Sequence, residues 1–334
     1  SVNRYRAPRG RSVGSGSPCT ALMVGACGSG SSTLGGTNTQ SGNNAPPAST
    51  RPPFRAMFQL AQGILPYPTD LFLNGSTDGT VKAPVLAVTP NVASLNSLDG
   101  FGVNTEMTIR FSKKVNAASL ATPGSIVVLE TVQRTVVASA STIARVPVGV
   151  RRMLVPGVDY SVGLSTASDA DGTVVSIKPL KPLTPSTGGV MAGAPAGLVD
   201  QTGVGYLVIV TAAVTSADGD VAYADDEYAL IRQAVGTPAD PTNPGANCGN
   251  LGNATLVGVC RLTAPQIAIA EAAHIPLSAI ALTFSFTTQS TRDTLVQMAN
   301  AVLSGPAPAL AARVLLNPVT GADLTDKDVL DPTR

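Results

Sequence analysis

The apolar residues of this chain come in short runs. From residue 85 onward no run exceeds five residues, and Gly, Pro and Asp recur between them. Runs of that length suit strands and are too short for most helices. Residues 107–111 alternate apolar and polar side chains, as a half-buried strand does. Residues 126–130 read as a more continuous apolar strand, and Val136-Val137 begins another. Residues 160–164 and 174–177 flank a turn, Asp169-Ala170-Asp171-Gly172. Residues 206–210 carry the strongest strand pattern, and 282–288 alternate again. The expected fold class is mainly β: an immunoglobulin-like β-sandwich body with a few short helices.

Three helices are expected. Residues 225–234 place acids in a first turn. Residues 264–274 have Pro265 near the start and Pro276 beyond the end. Residues 291–303 are amphipathic, with Leu295, Met298 and Val302 at helical spacing. With 334 residues and 44% hydrophobic content, the chain can bury a sizeable core and is not wholly disordered. No segment approaches the roughly 20 apolar residues that a membrane-spanning helix needs.

Charge is unevenly distributed. Residues 1–69 contain Arg4, Arg6, Arg9, Arg11, Arg51 and Arg55 and no acid, while all 21 acids and 16 of the 22 basic residues follow. A basic start on a mildly acidic body fits a targeting segment ahead of a mature protein. The four early arginines precede a short apolar stretch, residues 18–26. That stretch ends in Val24-Gly25-Ala26-Cys27, which resembles the lipobox of bacterial lipoproteins. The resemblance implies that Cys27 is diacylated and becomes the new N-terminus; the alternative is a cleaved secretory signal. Residues 28–53 are rich in Gly, Ser, Asn and Pro, as a disordered, flexible tether would be. The chain opens on Ser1 rather than Met, so its natural start is expected upstream.

Of four cysteines, Cys19 lies in the expected signal and Cys27 is the lipid site that the lipobox resemblance implies, which leaves Cys248 and Cys260. A disulfide between them, across a Gly- and Asn-rich loop, suits an oxidising compartment. Two cysteines and the single His274 do not make a four-ligand zinc site. No metal and no cofactor is expected.

Catalytic patterns are scarce. The one Gly-x-Ser-x-Gly, residues 10–14 around Ser12, lies in the basic leader with neither the strand before it nor the helix after it that a nucleophile elbow needs. His274 is expected to cap a helix C-terminus, where its positive form is favoured. Asp169, Asp171 and Gly172, like Asp218, Gly219 and Asp220, lack the further ligands of an EF-hand and read as turns. Phosphate-binding glycine loops are absent. Net charge is +1 and the basic residues of the body are scattered, so no nucleic-acid partner is expected.

Residues 58–73, which include Pro66-Tyr67-Pro68-Thr69-Asp70-Leu71, and the Gly75 to Thr80 turn region resemble the opening of the bacterial virulence factor lipase N-terminal domain family. Thr69 stands where that family has Asn. Further matches follow in order: Leu95-Asn96-Ser97-Leu98-Asp99-Gly100-Phe101, Val158-Asp159-Tyr160, residues 177–183 and residues 282–290. The resemblance covers about residues 54–290. It implies an exported protein, often a surface lipoprotein, whose N-terminal β-domain precedes an α/β-hydrolase lipase domain. The expected organisation is a signal with lipobox (1–27), a tether (28–53), an Ig-like β-domain (54–290) and a helical linker (291–334) toward a C-terminal lipase domain of the same parent. No catalytic residue of the family has a counterpart here, so the chain alone is expected to be inactive. It would reach the outer membrane or cell surface through its lipid anchor, or else be secreted. The alternative is a stand-alone Ig-like surface lipoprotein for binding or adhesion.

Overall fold

The structure, a computed structural model, describes residues 52–77, 79–82, 96, 98–139, 142–165, 171–186, 202–236 and 243–290. Cys19, Cys27, Ser12, the tether through residue 51, Asp78, Asp169 and the helix expected at 291–303 lie outside the described residues.

The protein is mainly β. Nine strands and two α-helices occur among the described residues. Strands β3 (Ile126–Ser139), β4 (Thr142–Met153), β7 (Thr202–Thr211) and β9 (Ile280–Thr287) form an antiparallel sheet in the order β4-β3-β7-β9. Strands β2 (Met107–Arg110), β6 (Val174–Pro179) and β5 (Tyr160–Leu164) form a second, in the order β2-β6-β5. The short strands β1 (Arg55–Ala56) and β8 (Tyr223–Ala224) pair in parallel.

The residues expected as two strands, 126–130 and 136–137, belong to one strand of 14 residues. Polar residues in its middle do not end it, because Glu130 finds partners inside the fold. Strand β4 was not expected. Arg145 and Pro147 interrupt its apolar pattern, yet Pro147 stays in the ladder beside a bulge on an edge strand.

Strand β9 departs from the half-buried expectation, since all eight residues are buried. One face carries Leu282, Phe284 and Phe286. These join Val128, Tyr206, Val208 and Val210 of the same sheet and Met107, Ile109, Tyr160, Val175 and Ile177 of the other in one core. The opposite face carries Thr283, Ser285 and Thr287. Helix α1 (Asp226–Val235) and helix α2 (Ala254–Ala272) cover it. Tyr228 on α1 bonds Thr283, and Gln266 on α2 bonds both Thr283 and Ser285, so the polar face is buried with its hydroxyls satisfied.

Helix α1 matches its expected span within a residue, and the Asp225 side chain accepts the Asp226 N–H at its start. Helix α2 corrects the expectation for 264–274. It begins ten residues earlier, capped by the Asn253 side chain on Thr255 and Leu256, and Pro265 lies inside it. Pro265 removes one helical hydrogen bond. Burial of Val259, Cys260, Leu262, Ala264 and Ile267 holds the helix through that position. His274 follows the helix end, exposed, with a left-handed φ of 64° and its N–H donated to the Glu271 carbonyl.

Candidate functional site

Four separated segments meet around the end of β9: the Asp70 turn, Asp99 to Phe101, Arg145 of β4 and β9 itself. Extended backbone around Pro66 and Pro68 brings the chain alongside β2, where Tyr67 and Thr108 exchange backbone hydrogen bonds. The Thr69 hydroxyl then caps a short 3-10 turn, Asp70–Leu73, by accepting the Leu71 N–H. The turn delivers Asp70 into the interior, where it is only 4% exposed. Its carboxylate accepts the backbone N–H of Thr287 at 2.8 Å and the Thr287 hydroxyl at 3.0 Å.

The second segment carries Asp99-Gly100-Phe101. The Phe101 N–H donates to the Thr287 carbonyl, and Gln289 donates back to the Phe101 carbonyl. Asp99 accepts the backbone N–H and the hydroxyl of Ser290. Gly100 passes so close to β9 that an added Cβ would sit 2.8 Å from the Thr287 and Thr288 carbonyl oxygens. Only glycine fits that approach.

Arg145 of β4 completes the group. It is buried, and its Nη1 donates to the Asp99 carbonyl at 2.7 Å, while its Nε has no hydrogen-bond partner. Burial pushes the Asp70 carboxyl up to about 7, against the opposing pull of the Arg145 charge and of the Thr287 hydrogen bonds. Burial likewise lowers the Arg145 guanidinium, with Asp70 and Asp99 acting the other way.

A second node gathers around Glu130. Its carboxylate accepts from Arg152 at 3.0 Å, from the Thr184 hydroxyl and from the Tyr206 hydroxyl, and Arg151 lies 3.6 Å away. Arg152 also reaches Asp159, as does Lys181. The Val155 N–H bond, with the Arg152 and Lys181 charges, holds Asp159 below the usual carboxylate range.

These groups are built to hold backbone together. The Ser290 and Thr287 hydroxyls are engaged by carboxylates, and His274, the single histidine, is exposed beyond the end of α2. Among the described residues no cluster of three or more His, Cys, Asp or Glu side chains is placed to hold a metal ion. An open groove of about 330 Å³ beside β2 is lined by Ile64, Leu65, Thr108 and Val174, and Arg110 supplies its only charge. That lining offers no acid–base pair.

The Sγ atoms of Cys248 and Cys260 are bonded, with Cα atoms 5.7 Å apart. Cys260 lies on α2 rather than in a loop, so the bridge ties that helix to the 3-10 turn Ala246–Asn250. Asp218-Gly219-Asp220 is a turn folded around the Ser216 hydroxyl, and Asp220 pairs with Lys113 at 2.7 Å. Gly172 has a left-handed φ of 70°. Arg145 and Glu130 escaped the sequence reading. Their signal was a charge set in the middle of a β-branched run, where it must find a partner.

No protein-family model matches the chain, and no curated protein matches it.

Proposed function

We propose that this chain is the non-catalytic N-terminal β-body of an exported bacterial lipase of the virulence factor type. It is held at the outer membrane or cell surface by a diacylated Cys27 and the tether of residues 28–53. Ester hydrolysis belongs to a C-terminal α/β-hydrolase domain of a longer parent chain.

The observation that carries the proposal is the clamp of Asp70, Asp99, Thr287 and Ser290. Three of the segments that carry the family resemblance, far apart in sequence, are bonded to one another there. The Val158-Asp159-Tyr160 and 177–183 segments also meet, where Leu180 donates its N–H to the Asp159 carbonyl. Segments that meet in pairs form one structural unit, as the resemblance implies for a single N-terminal domain. The clamp also draws the first and last described segments to the same strand, β9. That suits a body threaded between a tether and a following domain.

The test is the coding sequence beyond Arg334. An open frame leading to a strand, a Gly-x-Ser-x-Gly turn and a helix, with Asp and His downstream, is the expected result. A stop codon there would overturn the proposal in favour of a stand-alone Ig-like surface lipoprotein. Metabolic labelling with a fatty-acid analogue tests the anchor: label is expected on the native chain and lost in Cys27→Ser.

A further inference from the structure

The far half of β4 and the loop that follows it expose an unusual set of side chains. Val150, Met153, Val155, Val158 and Leu180 are each about half exposed. Backbone contacts join three of them, Val155, Val158 and Leu180, into one region. Val158 and Asp159 donate their N–H groups to the Val155 carbonyl, and Leu180 donates to the Asp159 carbonyl. The charges of the region are sorted by depth. The side chains of Glu130 and Asp159 are 6% and 12% exposed, whereas their partners Arg151, Arg152 and Lys181 are 46%, 51% and 63% exposed. Glu130 and Asp159 thus lie beneath their cations, and what faces outward around Val155, Val158 and Leu180 is apolar and cationic, with the half-exposed Glu106 paired to Lys178 beyond it.

Two occupants suit an apolar face on an edge strand: an added protein strand or a lipid surface. The edge itself disfavours a strand. Arg151 and Val148 have no partner on β3, so bulges distort this stretch of β4, and Pro147 lies beside one of them. Apolar tips interleaved with outward cations instead complement anionic headgroups above acyl chains. We propose that this face docks on an anionic phospholipid surface, with the Val155 and Val158 loop and Leu180 entering the headgroup boundary. The proposal rests on the exposed face alone and needs neither the acyl anchor nor a lipase domain.

The chain contains no Trp, so one introduced indole reports its own surroundings. The experiment uses the full chain carrying Cys27→Ser, to remove acylation, with either Val158→Trp or, on α1, Leu230→Trp. Each is mixed with phosphatidylglycerol-containing vesicles, with and without brominated acyl chains. The expected result is a blue shift and bromine quenching for Val158→Trp only. Lys181→Gln in that background should weaken vesicle binding by up to about fivefold. The basic leader is common to both reporters, so binding through it alone leaves the Val158→Trp signal unmoved. No shift at Val158→Trp, or equal shifts in both reporters, would overturn the proposal. So would a Val158→Trp shift that grows with protein concentration in the absence of lipid, which would assign the face to self-association. Leu180→Trp is the second reporter should Val158→Trp fail to fold.

Discussion

A carboxyl group enclosed as Asp70 is keeps its proton to about pH 7. Its folded value lies above its unfolded value near 3.8, so the native state binds this proton more tightly. The stability it contributes is fully present below pH 3.8 and is lost as pH rises toward 7, by roughly 4 kcal/mol at most. Asp159, held low, works in the opposite sense and in a more acidic window. The groups facing Asp70 are Arg145 from β4, Asp99 across Arg145, and Thr287 from β9. Asp70→Asn should therefore flatten the stability profile between about pH 4 and pH 7, as read by urea midpoints of variant and native chain. An unchanged difference across that range would place the proton elsewhere. At Gly100 the neighbouring carbonyls leave no room, and Gly100→Ala should cost about 1–3 kcal/mol, measurable by the same titration.

At the scale of elements, helix α2 shows why pattern reading succeeds or fails. Helix α1 was legible because Asp225, Asp226 and Glu227 mark its start and no breaker follows until Gly236. Helix α2 was half hidden, because Pro265 looked like a beginning and the Gly258 to Cys260 stretch looked like a loop. What overrides both is burial against the sheet, and burial is not visible in the local sequence. Strand β4 was lost for a similar reason. Arg145 and Pro147 are poor strand residues until an enclosed counter-charge and an edge position are supplied by other segments. The alternation of β9 was legible but the burial of its polar face was not, since no local pattern shows that Tyr228 and Gln266 pack their helices onto it. The disulfide belongs to this scale, because it fastens α2 to the turn before it. Replacing both Cys248 and Cys260 with Ser should lower stability by about 3 kcal/mol, seen as a lower Tm. Under reducing agent the native chain should match the variant.

For the molecule as a whole, the mainly β character was plain in the short runs, whereas the clamp was not. Asp70, Asp99 and Ser290 each looked like ordinary turn or strand-end residues, and nothing local pairs them. The resemblance put them in one ordered series without saying that they touch. If the chain is a non-catalytic body, purified protein should hydrolyse neither short- nor medium-chain esters. Turnover that survives His274→Ala would overturn that reading and point to chemistry independent of histidine.

The bond between Asp70 and Thr287 spans 217 residues. Its closure depends on a strand that is among the last described parts of the body to be synthesised. Until that strand has left the ribosome, β7 has no outer neighbour, the helices have no complete sheet to cover, and the Asp70 carboxylate lacks its Thr287 donors. The nascent body therefore stays open for most of its synthesis, because non-local pairing must wait for its distant partner. If the chain is exported as we propose, such lateness defers folding until it has passed through the membrane.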